Sequence, residues 1–270
     1  MSDAIEKYVP EKSLAYKLCF DSIDYVVDRF NMKEVHGDDG GAYKKVMFAR
    51  GGKEVGEQRI WMGQDGVFKI VYVGLVANPP GVDSHMMFAF TDKDSPVPHF
   101  TVDSVHLAHM GHYSYHCEVM PRVDLGPNLP YVDHVYEPLT APNKALYATE
   151  GFTKSQELGL RQWAFMSPWM LAGRAANAET FEKLYGFIDQ YRSHWADLVE
   201  NGIPAECLDG VDMSRIADRD YRNRCAAFNR DVDPVYNQLE PLMGFEEGER
   251  QIQVMRCQGG IYEDGDYSFE

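Results

Sequence analysis

Histidine is the most conspicuously clustered residue type in this sequence. Six of its nine, His85, His99, His106, His109, His112 and His116, fall in one central stretch. Imidazole ligates zinc, iron and copper, so His106, His109 and His112 are the first group to weigh as a metal site. The surrounding pattern argues against it. His109-Met110-Gly111-His112 reads as a turn between two strands, side chains alternate faces along a strand, and no HExxH helix or other ligand spacing is present. Solvated or hydrogen-bonded turn histidines are the favoured reading, and no metal is expected.

Asp103 is the more unusual residue, because it interrupts Phe100-Thr101-Val102-Asp103-Ser104-Val105, a run with the texture of a central strand. An isolated charge inside a sheet is costly to desolvate, so such a carboxyl needs a partner or keeps its proton. The alternative on pattern alone is an edge position pointing to water. His85, at the start of the run SHMMFAF one strand earlier, is the expected partner. Such a His/Asp pair facing a cavity would be a coupled general acid and base. No GxSxG elbow, phosphate-binding P-loop or strand-linked GxGxxG is present, so no built-in flavin or nicotinamide is expected.

The elements that must position this pair are legible in outline. Apolar residues recur at helical spacing from Ser13 to Arg29, and HGDDGGAY then breaks the pattern. Between Tyr43 and Met120 come six β-rich runs: KKVMFAR, EQRIWMG, VFKIVYVGLVA, SHMMFAF, HFTVDSVHLA and HYSYHCEVM. Their linkers are too short for the crossover helices that parallel neighbours need, so the sheet is expected to be antiparallel. A proline-rich passage follows Asp124. Beyond Thr153 the runs SQELGLRQWAF, NAETFEKLYGFIDQYRSHWADLVENG, SRIADRDYRNRCAAFNR and PVYNQLEPLMG read as four helices. Strands followed by helices make an α+β pattern. The expectation is one domain over residues 1–270, an α/β/α sandwich with the first helix on one face and the C-terminal helices on the other. The functional cavity would lie between sheet and helices.

Composition narrows the partners. With 42 acidic against 26 basic residues, the net charge of −16 works against nucleic acid and anionic membranes. The start, MSDAIEKYVPEKS, has no apolar signal core, and no stretch is apolar for long enough to cross a bilayer; a soluble cytoplasmic protein is expected. The five cysteines are scattered without CxxC spacing, as reduced thiols would be. An aromatic share of 13% suits a pocket for a flat conjugated ligand as well as an ordinary core.

Several ordered segments resemble one family. His85-Met86-Met87-Phe88, then Pro98-His99-Phe100-Thr101-Val102, then Asp103 is similar to the histidine, turn and aspartate of ferredoxin-dependent bilin reductases. The 18-residue spacing is within one residue of the family's. The segment from Pro98 to Asp103, with Met120-Pro121-Arg122-Val123-Asp124-Leu125 and Tyr131, also resembles red chlorophyll catabolite reductase. Phe165-Met166-Ser167-Pro168-Trp169, Arg222-Asn223-Arg224 and Leu242-Met243-Gly244-Phe245 resemble later parts of the same fold, so the matches span about positions 60 to 255. Two departures stand out. The third acidic residue of some bilin reductases, on the strand before the histidine, has no counterpart, because Ile70 to Val73 are apolar. The chlorophyll-catabolite branch lacks the histidine and carries glutamate for the aspartate, so this chain mixes features of both.

The resemblance implies a linear tetrapyrrole held between sheet and C-terminal helices, reduced by single electrons from external ferredoxin, with no bound cofactor. It implies Asp103 as proton donor, His85 bonded to it, and Arg122, Arg161, Arg174, Arg222 and Arg224 as candidates for propionate recognition. Ferredoxins are acidic, so docking one on this chain would need a local basic patch. The alternative on the same fold is a cofactor-independent lyase, isomerase or decarboxylase for an aromatic substrate. His85 and Asp103 would then be acid and base, with Tyr113 or Tyr115 orienting a phenol.

Overall fold

The computed structural model describes residues 13–77, 81–108, 110–156 and 158–257. Helix α1 (Leu14–Arg29) starts at Ser13, whose side chain accepts from the Tyr16 amide. It buries Leu18, Cys19, Ile23 and Val26, the apolar positions spaced along one helix face. The six expected strands are present as β2 (Lys44–Met47), β3 (Glu54–Met62), β4 (Val67–Ala77), β5 (Val82–Thr91), β6 (His99–Leu107) and β7 (His112–Met120), preceded by a short β1 (Lys33–Val35). From β3 to β7 each strand pairs antiparallel with the next, while β1 and β2 both pair with β3. At the β3–β4 turn Gly66 has φ +84, and a Cβ there would lie 2.8 Å from Val199 Cγ1, so glycine is needed twice over.

Two further strands, β8 (Phe152–Lys154) and β9 (Leu171–Ala175), extend the sheet beyond β7. They lie before and between the first two runs that read as helices, where no strand is expected. Leu171-Ala172-Gly173-Arg174-Ala175 has little intrinsic β preference, and the open edge of β7 makes it a strand. The proline-rich passage also contains structure, α2 (Leu129–Val135) and α3 (Thr140–Ala148). Pro130 sits in the first turn of α2, where its missing N–H costs nothing. The helix expected over SQELGLRQWAF is confined to α4 (Leu160–Trp163).

The sheet is buried on both faces. Residues such as Ile70, Tyr72, Met87, Phe100, Val102 and Cys117 form one core with α1 and α5 (Ala178–Asn201). Val71, Val73, Phe88 and Phe90 form the second core with Phe228, Leu239, Ile252 and Met255. That layer contains α6 (Ile216–Ala227), α7 (Leu239–Met243) and α8 (Phe245–Met255). Double burial explains why strands such as VFKIVYVGLVA are nearly continuously apolar. The α/β/α sandwich is therefore as expected, with one change of layer. The long helix α5 packs beside α1, not with the C-terminal helices.

Candidate functional site

A cavity of about 260 Å³ lies between the sheet and the C-terminal layer. Its floor comes from alternate residues of neighbouring strands: Thr101, Asp103 and Val105 on β6, and Ser114, His116 and Glu118 on β7. Antiparallel register places Asp103 opposite His116 and Thr101 opposite Glu118. The roof includes Met166, Phe228, Asp233 and Tyr236. Three carboxyls and an imidazole thus share a largely apolar space, and no Lys or Arg is among the described lining residues.

Asp103 and His116 keep 23% and 36% of their side-chain surface uncovered, and both line the cavity. The nearest approach of the two, Asp103 Oδ2 to His116 Nδ1, is 3.7 Å, beyond a hydrogen bond. Asp103 Oδ1 has no hydrogen-bond partner. Burial, reinforced by the negative charge of Asp233, pushes the Asp103 carboxyl up to about 7. Burial also pushes His116 down to about 4, so this imidazole is neutral at neutral pH. Glu118 is 1% exposed and is raised well above the ordinary carboxyl range by burial, against the opposing effect of Ser167. Asp233 is raised as well, again chiefly by burial. The three carboxyls form a reservoir of dissociable protons facing a cavity, with Asp103 poised to give or take one near neutrality and the neutral His116 able to accept one.

The expected contact between His85 and Asp103 is not formed. In the β5–β6 register His85 lies opposite Ser104, while Asp103 lies opposite Met86. Adjacent positions on a strand point to opposite faces, so His85 enters the α1 layer and Asp103 enters the cavity. His85 is fully buried there. Its Nε2 donates to Asp83 Oδ1 at 2.6 Å, leaving Nδ1 for the Tyr72 hydroxyl at 2.7 Å. Tyr16 packs edge-on against its ring. The imidazole available to Asp103 is that of His116.

Both tyrosines expected to orient a phenol also belong to the α1–α5 layer. Tyr113 is stacked between His106 and Phe181, and Tyr115 borders the cavity but packs its ring edge-on against Phe152. The tyrosine of the cavity roof is Tyr236. The five arginines do not converge on a ligand, and none lines the cavity. Arg161 is exposed and donates to Asp231 O, and Arg222 is exposed and paired with Asp218. Arg174 is half-buried on β9 opposite Ser114.

Arg122 and Arg224 are buried in a structural network instead. Arg224 Nε donates to Asp220 Oδ2 at 2.9 Å, and Arg122 lies 3.5 Å from Asp220 Oδ1. Arg122 also donates to Thr91 Oγ1 and to the Asp92 and Lys93 carbonyls. The Thr91 amide donates to His99 Nδ1, so His99 carries its proton on Nε2 and donates to Asp220 Oδ1 at 2.8 Å. Burial holds His99 at about 4. Burial alone would raise Asp220, but His99, Arg122 and Arg224 outweigh it and keep the carboxylate well below its usual range. This network ties α6 to β6 and closes one end of the C-terminal layer.

Among the described residues no three His, Cys, Asp or Glu side chains are grouped to hold a metal. His106 is stacked on Tyr113 and His112 lies near Met110 O, while His109 falls outside the described residues. No described helix is long and apolar enough to cross a membrane.

The fold, an antiparallel sheet between two helical layers, is shared with a solved structure. The solved structures include phytochromobilin synthase from tomato in complex with biliverdin, to which this chain is similar with a TM-score of 0.67 at 14% identity. The alignment covers 94% of this chain and 85% of that one. At this identity the likeness establishes the fold. No family model and no curated protein sequence matches the chain.

Proposed function

We propose that the protein is an oxidoreductase that reduces a linear tetrapyrrole bound in this cavity, with electrons delivered singly by an external donor of the ferredoxin class. The observation that carries the reading is Asp103, a carboxyl held at about 7 with one oxygen free to meet a ligand between sheet and C-terminal helices. Reducing one double bond takes two electrons and two protons. Asp103 gives the first proton, and reprotonation from bulk water lets it give the second. A fold shared with a protein crystallised with biliverdin supports a tetrapyrrole as the substrate class. Mixing the protein with biliverdin is expected to shift the pigment's visible spectrum, and adding reduced ferredoxin is expected to convert it. Asp103→Asn is expected to bind pigment and fail to convert it. Absence of any spectral change with biliverdin would sink this reading.

Two features favour a second reading. At about 260 Å³ the cavity lies just below the roughly 300–1,000 Å³ of pockets for drug-sized ligands, and no arginine lines it to meet a propionate. Both suit a smaller aromatic substrate transformed by acid/base catalysis without a cofactor, with Asp103 and His116 in place of the expected Asp103 and His85. Turnover of an aromatic compound without any electron donor, lost in Asp103→Asn, would select this reading over the first.

A further inference from the structure

Glu118 is the least expected residue in the cavity, since a carboxyl 1% exposed must gain something for its desolvation. Within the protein it gains little. The Ser167 amide reaches Oε1 at 3.4 Å, and Oε2 has no hydrogen-bond partner. Glu118 lies on the cavity floor two residues beyond His116, on the same face of β7. The cavity's lining holds the carboxyls of Asp103, Glu118 and Asp233, and no cation is among its described residues. A ligand carboxylate entering here would find no cation to pair with.

We propose that Glu118 is the polar anchor of the cavity, taking the ring N–H of a conjugated nitrogen heterocycle at Oε2, and that any carboxylates of the ligand remain outside. The inference rests on the cavity being the substrate site. A buried acceptor surrounded by Met120, Met166 and Met170 discriminates strongly for a donor, because a ligand without one leaves the carboxyl unsatisfied. The methionines supply polarisable contact for a flat ring without imposing a fixed outline. Pyrrole, indole and lactam nitrogens all carry the required donor, so the anchor serves a tetrapyrrole or a smaller heterocycle.

The test is a spectroscopic titration of the full chain with biliverdin and its dimethyl ester, and with tryptamine and indole-3-acetate. Wild type, Glu118→Gln and Glu118→Met are compared, with folding checked by circular dichroism. For bilins, the ester is expected to bind at least as tightly as the diacid. Glu118→Gln, which keeps an acceptor oxygen, should stay within about threefold of wild type, and Glu118→Met should lose tenfold or more. A tenfold preference for the diacid, or undiminished binding in a folded Glu118→Met, overturns the proposal. If neither bilin binds, the tetrapyrrole reading fails by itself, and the indole pair decides the anchor. Tryptamine bound tenfold more tightly than indole-3-acetate, and lost in Glu118→Met, sustains it. No preference, or no binding by any probe, overturns it.

Discussion

Replacing Asp103 by Asn keeps the shape of the side chain and removes a carboxyl that the cavity holds far from its ordinary titration. Raising that group from 3.8 to about 7 corresponds to about 4 kcal/mol withheld from its ionised form. Water entering the cavity screens part of this, so a difference of about 2 kcal/mol is the working expectation. The sign follows from proton binding. Between pH 4 and 7 the folded protein binds more protons at Asp103 than the unfolded chain, so the stability it contributes is full below pH 4. That contribution is lost as pH rises through about 7. Asn does not titrate. The variant should therefore match wild type near pH 4 and exceed it by about 2 kcal/mol at pH 8, or about 4–8 °C in melting temperature for a chain of this size. His99 and His116, both held at about 4, pull the opposite way as pH rises to 6.5, but they are present in both proteins and largely cancel in the difference. Urea unfolding of the two proteins at pH 4, 6 and 8 measures it. A difference that does not change with pH, or a variant less stable than wild type at pH 8, would refute the assignment of Asp103 as a buried, proton-holding carboxyl.

Three other outcomes are expected. His85→Ala should lower stability by about 2–4 kcal/mol, through a small cavity and the loss of the Tyr72 and Asp83 hydrogen bonds, while leaving biliverdin affinity within about threefold. A tenfold loss of affinity in a folded variant would put His85 at the site after all. Asp220→Ala leaves the charges of Arg122 and Arg224 buried without their carboxylate and should cost about 3–5 kcal/mol in urea unfolding; a loss below about 1 kcal/mol would show that the network does not hold α6. If protonated Asp103 is the donor, the rate of the proton-dependent step should fall about tenfold per pH unit above about 7, and a flat profile from pH 6 to 9 would exclude it.

The placing of His116 opposite Asp103 was within reach of sequence reasoning, whereas the face taken by His85 was not. The turn at His109-Met110-Gly111-His112 is visible in the sequence, and counting outward from it pairs Leu107 with His112 and Asp103 with His116. The same count puts Thr101 opposite Glu118 and Val105 opposite Ser114, so the cavity floor follows from one tight hairpin. Between β5 and β6 the connection is Asp92-Lys93-Asp94-Ser95-Pro96-Val97-Pro98, too long and irregular for the register to be counted across it. One residue of slip there exchanges Met86 for His85 opposite Asp103 and moves the side chain to the other face. A spacing counted across such a loop therefore does not fix which face of the sheet a residue serves.

The arginines lie apart from the cavity for a related reason. Arg122 and Arg224 carry the right chemistry for a propionate, but Asp220, far from Arg122 in sequence, claims both. Asp233 and Tyr236 reach the cavity only because the segment after α6 crosses it, which no local pattern announces.

The sequence by itself determined the opening helix, the six strands β2 to β7 with their antiparallel order, and the anomaly at Asp103. These depend on local periodicity and on linkers too short for any other connection. Only the tertiary structure decided which face each polar residue serves, that α5 packs beside α1, and that His85 lies opposite Ser104 and enters the α1 layer, away from Asp103. The physical reason is that a strand repeats every two residues while long-range register is set by packing. Function on a sheet is thus decided by the parity of an alignment that local sequence does not encode.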